Sequence, residues 1–268
     1  MIKICVTCGT SYDAPEATQN NCVICEEERQ YVPVDGQKWT NIADLHAHHA
    51  NKWTQHEAGL LSLKTVPAFA INQRAFLLQT PEGNLLWDCI AHLDEATLRI
   101  IEALGGLTGI AISHPHYYTR MQDWAAAFNA PVWLHADDRE WIQRDSPAIQ
   151  LWQGDSLQLT PEVNLIRMGG HFAGGTVLHW HKGDGVLLAG DIIQVTPGAD
   201  QVSFMWSYPN MLPLPAAEVA RMADKAKQLT FDRLYGAFEG QDIGAQAGEI
   251  VTRSAGKYIA CLSGTPSP

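Results

Sequence analysis

Positive charge is scarce in this 268-residue sequence: 18 lysines and arginines stand against 29 aspartates and glutamates, a formal net charge of −11. Such a balance leaves no electrostatic footprint for a phosphate backbone, so nucleic acid is not an expected partner. Long apolar runs are missing too. No stretch approaches the roughly 20 apolar residues of a membrane span, and Met1-Ile-Lys-Ile-Cys5 lacks the apolar h-region of a signal peptide. The expectation is a soluble, cytoplasmic protein without a membrane partner. At 46% hydrophobic residues the chain has enough to bury a full core, read as one large domain with a small appendage.

Cysteine is sparse but ordered. Of six, four fall as Cys5-x-x-Cys8 and Cys22-x-x-Cys25. Each pair forms a tight knuckle, and two knuckles complete a tetrahedral four-cysteine site that binds zinc and stabilises a segment too small to fold alone. This marks residues 1–36 as a zinc-ribbon-like module. Cys8-Gly9 followed by Tyr12-Asp13 resembles a rubredoxin knuckle, which keeps iron as the alternative. The module is expected to be a structural cap or a docking surface for a protein partner. Cys89 and Cys261 are expected to be buried thiols. Residues 37–58 read as a connecting helix carrying His46, His48, His49 and His56, with His46 and His49 on one face.

From Gly59 to residue 268 the pattern is short β-rich runs separated by turn signals. Leu60 to Phe69, Arg74 to Gln79 and Asn84 to Trp87 read as a meander. Asp94 caps a helix with Leu98, Ile101 and Leu104 at helical spacing, and the run Thr108 to Ser113 leads into His114-Pro115-His116. A second β-rich half follows, over 156–159, 163–167, 176–181 and 186–189, with helices at 216–228 and 245–260. Two such halves imply an α/β fold, an αββα sandwich with ligands gathered at one edge of two facing sheets.

Four segments end in residues able to bind metal where a strand gives way to a loop: Leu86-Trp-Asp88, Ile112-Ser-His114-Pro-His116, Met168-Gly-Gly-His171 and Leu188-Ala-Gly-Asp191. In order and spacing this series resembles the metallo-β-lactamase superfamily over about residues 59 to 260. The resemblance implies a metallo-β-lactamase-type sandwich, with Asp88 as a structural hydrogen-bonding aspartate and His114, His116 and His171 as ligands of the first metal. It makes Asp191 the carboxylate that elsewhere bridges two metals.

The departures narrow the expectation. Where the superfamily motif HxHxDH has its aspartate and last histidine, this chain has Tyr118 and Thr119, and Tyr235-Gly-Ala-Phe-Glu239-Gly240 lacks the terminal histidine. A phenol keeps its proton near a pKa of about 10, so Tyr118 is no substitute ligand. One metal is expected, zinc by ligand count, or iron(II) through two histidines and Asp191 as in mononuclear oxygenases. Tyr118 is a candidate catalytic proton donor to an oxyanion, against the reading that Tyr117 and Tyr118 only fill space. Asp191 is the candidate to orient the attacking water. His179 and His181 are placed on an edge strand, His135 and His92 outside the site, Glu239 and Asp242 in a solvated loop. The stretch Phe204 to Pro215 is a substrate-pocket wall or a dimer contact. The leading expectation is a metal-dependent hydrolase of a small-molecule ester, thioester or amide. The alternatives are an iron oxygenase acting on a sulfur compound, and a non-catalytic protein for ligand sensing or partner binding.

Overall fold

The computed structural model describes residues 2–13 and 20–264. The outer ends of the expected 1–36 and 59–268 modules, and residues 14–19 within the first, lie outside the described residues. Chain contacts gather into two compact units: residues up to 134 together with 138–152, and residues 135–137 together with 153 onward.

The first unit opens with β1 (Lys3–Cys5), paired antiparallel with β2 (Ser11–Tyr12) and with β3 (Trp39–Thr40); α1 (Val23–Glu26) lies between them in sequence. This small sheet runs past the expected boundary at 36. Helix α2 (Ile42–His48) starts at Asn41, whose side chain accepts from the Asp44 amide at 3.0 Å. The expected helix over 37–58 stops there. Ala50–Glu57 is instead strand β4, antiparallel to β5 (Leu60–Val66) with Trp53 opposite Leu63. Trp53 and Thr54 favour extended backbone, and pairing with the apolar β5 outweighs the helical spacing of the histidines. His49 is the C-cap of α2, so it does not share a helix face with His46.

The main sheet of this unit continues with β6 (Arg74–Thr80), β7 (Gly83–Trp87), β8 (Gly109–Ala111), β9 (Val132–His135) and β10 (Ile149–Trp152). Its seven strands lie in the order β10-β9-β8-β7-β6-β5-β4. Ala75 to Leu78 and Leu85 to Trp87 are buried, the continuous apolar pattern of central strands. Asp94 caps α3 (Glu95–Ala103) by accepting from the Thr97 amide at 2.7 Å, and Ile101 is buried as its spacing predicts. Helix α4 (Met121–Phe128) precedes β9. Because β7, β8 and β9 are mutually parallel, their C-terminal ends share one edge, which is where Asp88 and His114 emerge.

The second unit is built on β11 (Ser156–Gln158), β12 (Val163–Arg167), β13 (Thr176–Trp180) and β14 (Val186–Gly190). Two antiparallel pairs follow, β15 (Gln194–Val195) with β16 (Val202–Ser203) and β17 (Met205–Ser207) with β18 (Leu212–Pro213). Then come α5 (Ala216–Ala226), β19 (Arg233–Gly236), β20 (Asp242–Ile243) and α6 (Ala247–Leu262). The sheet order is β11-β12-β13-β14-β19-β20. Val177, Leu187, Ala189 and Leu234 of the sheet pack in one core with Val219 and Met222 of α5 and Val251 and Ala255 of α6. Cys89 is buried as expected, but Cys261 is exposed because it falls off the α6 stripe of Ala247, Val251 and Ala255. Among the described residues no helix is long and apolar enough to cross a membrane.

Candidate metal centres

Cys5 ends β1, Cys8 follows in the next turn, and Cys22 and Cys25 bracket the start of α1. All four are buried, with one sulfur of each within 4.8 Å of the others. The closest pairs, Cys8 with Cys22 at 3.4 Å and Cys5 with Cys25 at 3.6 Å, are too far apart for S–S bonds of about 2.05 Å. The knuckle turns are closed by Gly9 N donating to Cys5 O at 2.9 Å and Cys25 N to Cys22 O at 3.0 Å. Hydrogen bonds among the sulfurs pull Cys5 and Cys22 below the ordinary thiol range, while burial pushes Cys8 up. Burial also holds the Tyr12 phenol protonated, so its hydroxyl donates to Cys22 Sγ at 3.2 Å. Gln37 Nε2 donates to Cys5 Sγ, also at 3.2 Å. Four buried sulfurs supplied with donors from outside the knuckles form a set suited to a cation, which cysteine binds as thiolate.

In the first unit, the backbone bends sharply after β7, with Asp88 at φ +60° and its amide tied to Ala111 O. Asp88 Oδ1 accepts from the Ser113 amide at 2.7 Å and from the Ser113 hydroxyl at 2.8 Å, the structural role expected for it. Ser113 Oγ also lies 2.8 Å from His114 Nδ1. The single serine proton goes to the carboxylate, so His114 Nδ1 carries the other proton and donates to Ser113, leaving the lone pair on Nε2. His114 opens a short 3₁₀ turn, Pro115–Tyr117, that brings back His116, whose ring centroid is 5.1 Å from that of His114. A ligand nitrogen of each lies within 4.8 Å of the other. The ring 4.4 Å from His114 is that of Tyr117. Tyr118 is buried, and burial followed by the nearby Asp138 carboxylate raises its phenol well above its ordinary range.

In the second unit, β12 runs into the Met168 to His171 loop. Gly170 takes φ +78°, and a Cβ there would lie 2.6 Å from Met222 Sδ, so any other residue would be strained and would displace that side chain. The Gly170 amide donates to Glu218 Oε1 at 3.1 Å, and Arg221 holds both Glu218 and the Met168 carbonyl. His171 Nδ1 donates to Trp206 O at 2.8 Å and lies 3.2 Å from Met205 O, which again leaves the lone pair on Nε2. Asp191 follows β14, with a carboxylate oxygen within 4.8 Å of a His171 ring nitrogen. Its carbonyl accepts from the Tyr208 hydroxyl at 3.0 Å. The 204–215 stretch therefore orients both residues, a role the sequence reading missed. Main-chain carbonyls leave no trace in sequence, and only the proximity of Tyr208 to Asp191 along the chain hinted at it.

The other histidines have separate duties. Strand β13 lies between β12 and β14, so His179 is central rather than on an edge; its Nε2 donates to Thr230 O at 2.7 Å and its ring lies against that of His181, centroids 4.2 Å apart and tilted by 54°. His135 Nε2 donates to Gly154 O. His92 is buried against Asp94 and the rings of His46 and His49. Among the described residues, none of these histidines, nor Glu239 or Asp242, falls in a group of three or more potential metal ligands.

No family model matches the chain. It is 48% identical over 265 residues to the uncharacterised protein YmaE of Bacillus subtilis (strain 168), covering 97% of this chain and 96% of that protein. Among solved structures, a B3 metallo-β-lactamase with an active-site glutamic acid is similar over 84% of this chain and 94% of its own, with a TM-score of 0.56 at 14% identity. The metallo-β-lactamase DIM-1 exposed to ceftazidime matches over 77% and 96%, with a TM-score of 0.58 at 11% identity. SMB-1, a metallo-β-lactamase in complex with mercaptoacetic acid, matches over 80% and 94%, with a TM-score of 0.53 at 18% identity. At such identities these likenesses show the fold.

Proposed function

The chain belongs to one family with YmaE and has the metallo-β-lactamase fold, and from that premise we propose that it is a metal-dependent hydrolase in which His114, His116, His171 and Asp191 hold a single ion. One observation carries the reading: in both units a histidine is fixed by a hydrogen bond from Nδ1, His114 to Ser113 and His171 to Trp206 O, so that Nε2 is the coordinating atom. Three neutral imidazoles and one carboxylate suit zinc, which when bound supplies the Lewis acidity to bring a water's pKa to about 7 and to polarise an ester, thioester or amide carbonyl.

The chain's own groups do the rest. Asp191 orients the attacking water and accepts its proton. Tyr118 keeps its own proton at neutral pH and is the donor to the developing oxyanion. The substrate is a small molecule. The four cysteines hold a second zinc with a structural role.

Elemental analysis of purified protein, paired with a panel of ester, thioester and amide substrates, tests the reading. About two equivalents of zinc are expected, with His171→Ala losing one equivalent and all turnover. Retention of both by that variant sinks the assignment. Iron in the histidine site with oxygen uptake on a sulfur substrate would replace it.

A further inference from the structure

The cysteine module is joined to the loop that carries His114 and His116. Ser11, the first residue of β2, directs both its amide (3.1 Å) and its hydroxyl (2.9 Å) to the carbonyl of Thr119. Thr119 ends the His114-Pro115-His116-Tyr117-Tyr118-Thr119 loop and sits at φ +36°, in the left-handed region that a β-branched residue enters only when held there. Both sides of Ser11 are anchored to the cysteines. Before it, Thr10 O accepts from the Cys5 amide at 2.9 Å; after it, the Tyr12 hydroxyl rests on Cys22 Sγ. Gly9, in the first knuckle, packs so closely that a Cβ there would lie 3.2 Å from Ala91 and 3.4 Å from the Thr119 methyl.

An ion-pair chain reinforces the junction. Arg144 Nη1 donates to Ser11 Oγ at 3.1 Å, and its Nε pairs with Asp13 at 2.9 Å. The same guanidinium binds Asp123 in the first turn of α4, and Asp123 also accepts from Arg120 Nε at 2.7 Å. Arg144 and Arg120 are buried to more than nine-tenths at the side chain and Asp123 is mostly buried, so the pairs on Asp123 are little screened, whereas Asp13 is exposed. The loop is thus held at its far end by residues whose own placement depends on the four-cysteine set.

We propose that the four-cysteine centre is a positioning element for the histidine site: its metal holds Ser11 against Thr119, and losing it loosens the His114–His116 loop and weakens metal binding there. Ser11 is the positioning residue, acting through Thr119 and never touching the ion. The second half of this proposal rests on the single-ion reading above; the first half, loop order governed by the cysteine centre, does not.

The test uses the full chain in two arms. In the first, amide hydrogen exchange over residues 114–121 is compared in His171→Ala, and in His171→Ala combined with Cys8→Ser and Cys22→Ser. Ser11→Ala on the His171→Ala background covers the case in which the cysteine variants do not fold. Faster loop exchange in the cysteine or Ser11 variants is expected, and unchanged exchange in folded protein overturns the proposal even if the histidine site binds metal. In the second, zinc release to a chelator is timed for the otherwise native protein and for Ser11→Ala. Release of the histidine-site ion about tenfold faster, with the cysteine-bound ion retained, is the expected result, the scale on which outer-shell partners act. Equal release rates with faster exchange would confine the cysteine centre to loop order and overturn the coupling to metal binding. If instead no ion binds the histidine site in native protein, it is the single-ion reading that fails, and the exchange arm still decides loop order.

Discussion

Ser113→Ala isolates one hydroxyl that serves two buried partners at 2.8 Å each, Asp88 and His114. The serine, the aspartate and the histidine are all within two per cent of full burial. Asp88 keeps the Ser113 amide as a donor, but His114 Nδ1 loses its acceptor, and a buried polar group left without a partner costs about 1–3 kcal/mol. The metal-free protein should lose about that much stability. The ion should also be held less tightly, because with Nδ1 no longer occupied the ring is free to change tautomer or rotate. Outer-shell losses of this kind weaken metal binding by about 10–100-fold, which is about 1.4–2.8 kcal/mol, the same range as the hydrogen-bond figure. Competition with a chelator of known affinity reads the second quantity, and denaturant unfolding of metal-stripped protein reads the first. A Ser113→Ala protein that binds zinc within twofold of the native affinity would refute the claim that this hydrogen bond fixes the ring.

Gly170→Ala should destabilise the second unit by about 2 kcal/mol through its left-handed φ and the clash with Met222, read as a lower unfolding midpoint; a loss below about 0.5 kcal/mol would contradict the close packing. Tyr12→Phe removes the hydroxyl donor to Cys22 and should speed release of a metal loaded on the cysteine set by about tenfold, followed with a thiol-reactive dye. His179 is held below its ordinary pKa of 6.5, first by burial, so the unfolded chain binds its proton more readily. Its contribution to stability is complete above pH 6.5 and is lost as pH falls from there through the lower folded value. His179→Gln should therefore flatten the loss of stability between pH 7.5 and 5.5 measured by urea unfolding; an unchanged slope would show that this ring does not titrate on unfolding.

The candidate metal ligands were legible because they stand beside strong local signals. Two CxxC knuckles need only turn geometry to bring their sulfurs together, and His114, His171 and Asp191 each close an apolar run whose end is set by Pro115, Gly169-Gly170 or Gly190. What escaped the sequence depends on partners remote along the chain. Ala50–Glu57 becomes a strand only because β5 is there to pair with it, and His179 becomes central because residues 186–190 and 163–167 flank it. The carbonyls of Met205 and Trp206 that fix His171 would serve equally well from any side chain type. The Ser11 contact with Thr119 spans over a hundred residues, and although Thr119 stands at a motif position, nothing in the motif points to Ser11.

Strand β14 finds its second neighbour not in the next strand of the chain but in β19, in parallel, with Val186 opposite Arg233 and Leu188 opposite Tyr235. The hydrogen-bond ladder beside Asp191 therefore stays open on one side until nearly fifty further residues have been made, and closing so long a loop is entropically costly. During synthesis the four cysteines leave the ribosome first and the His114–His116 pair next, while the strand that carries Asp191 waits for the C-terminal segment. A protein truncated before residue 233 would carry its thiols and first histidines without the β19 strand that pairs beside the carboxylate. The order of the chain thus completes the four-cysteine cluster before the strand that carries Asp191 is paired on both sides.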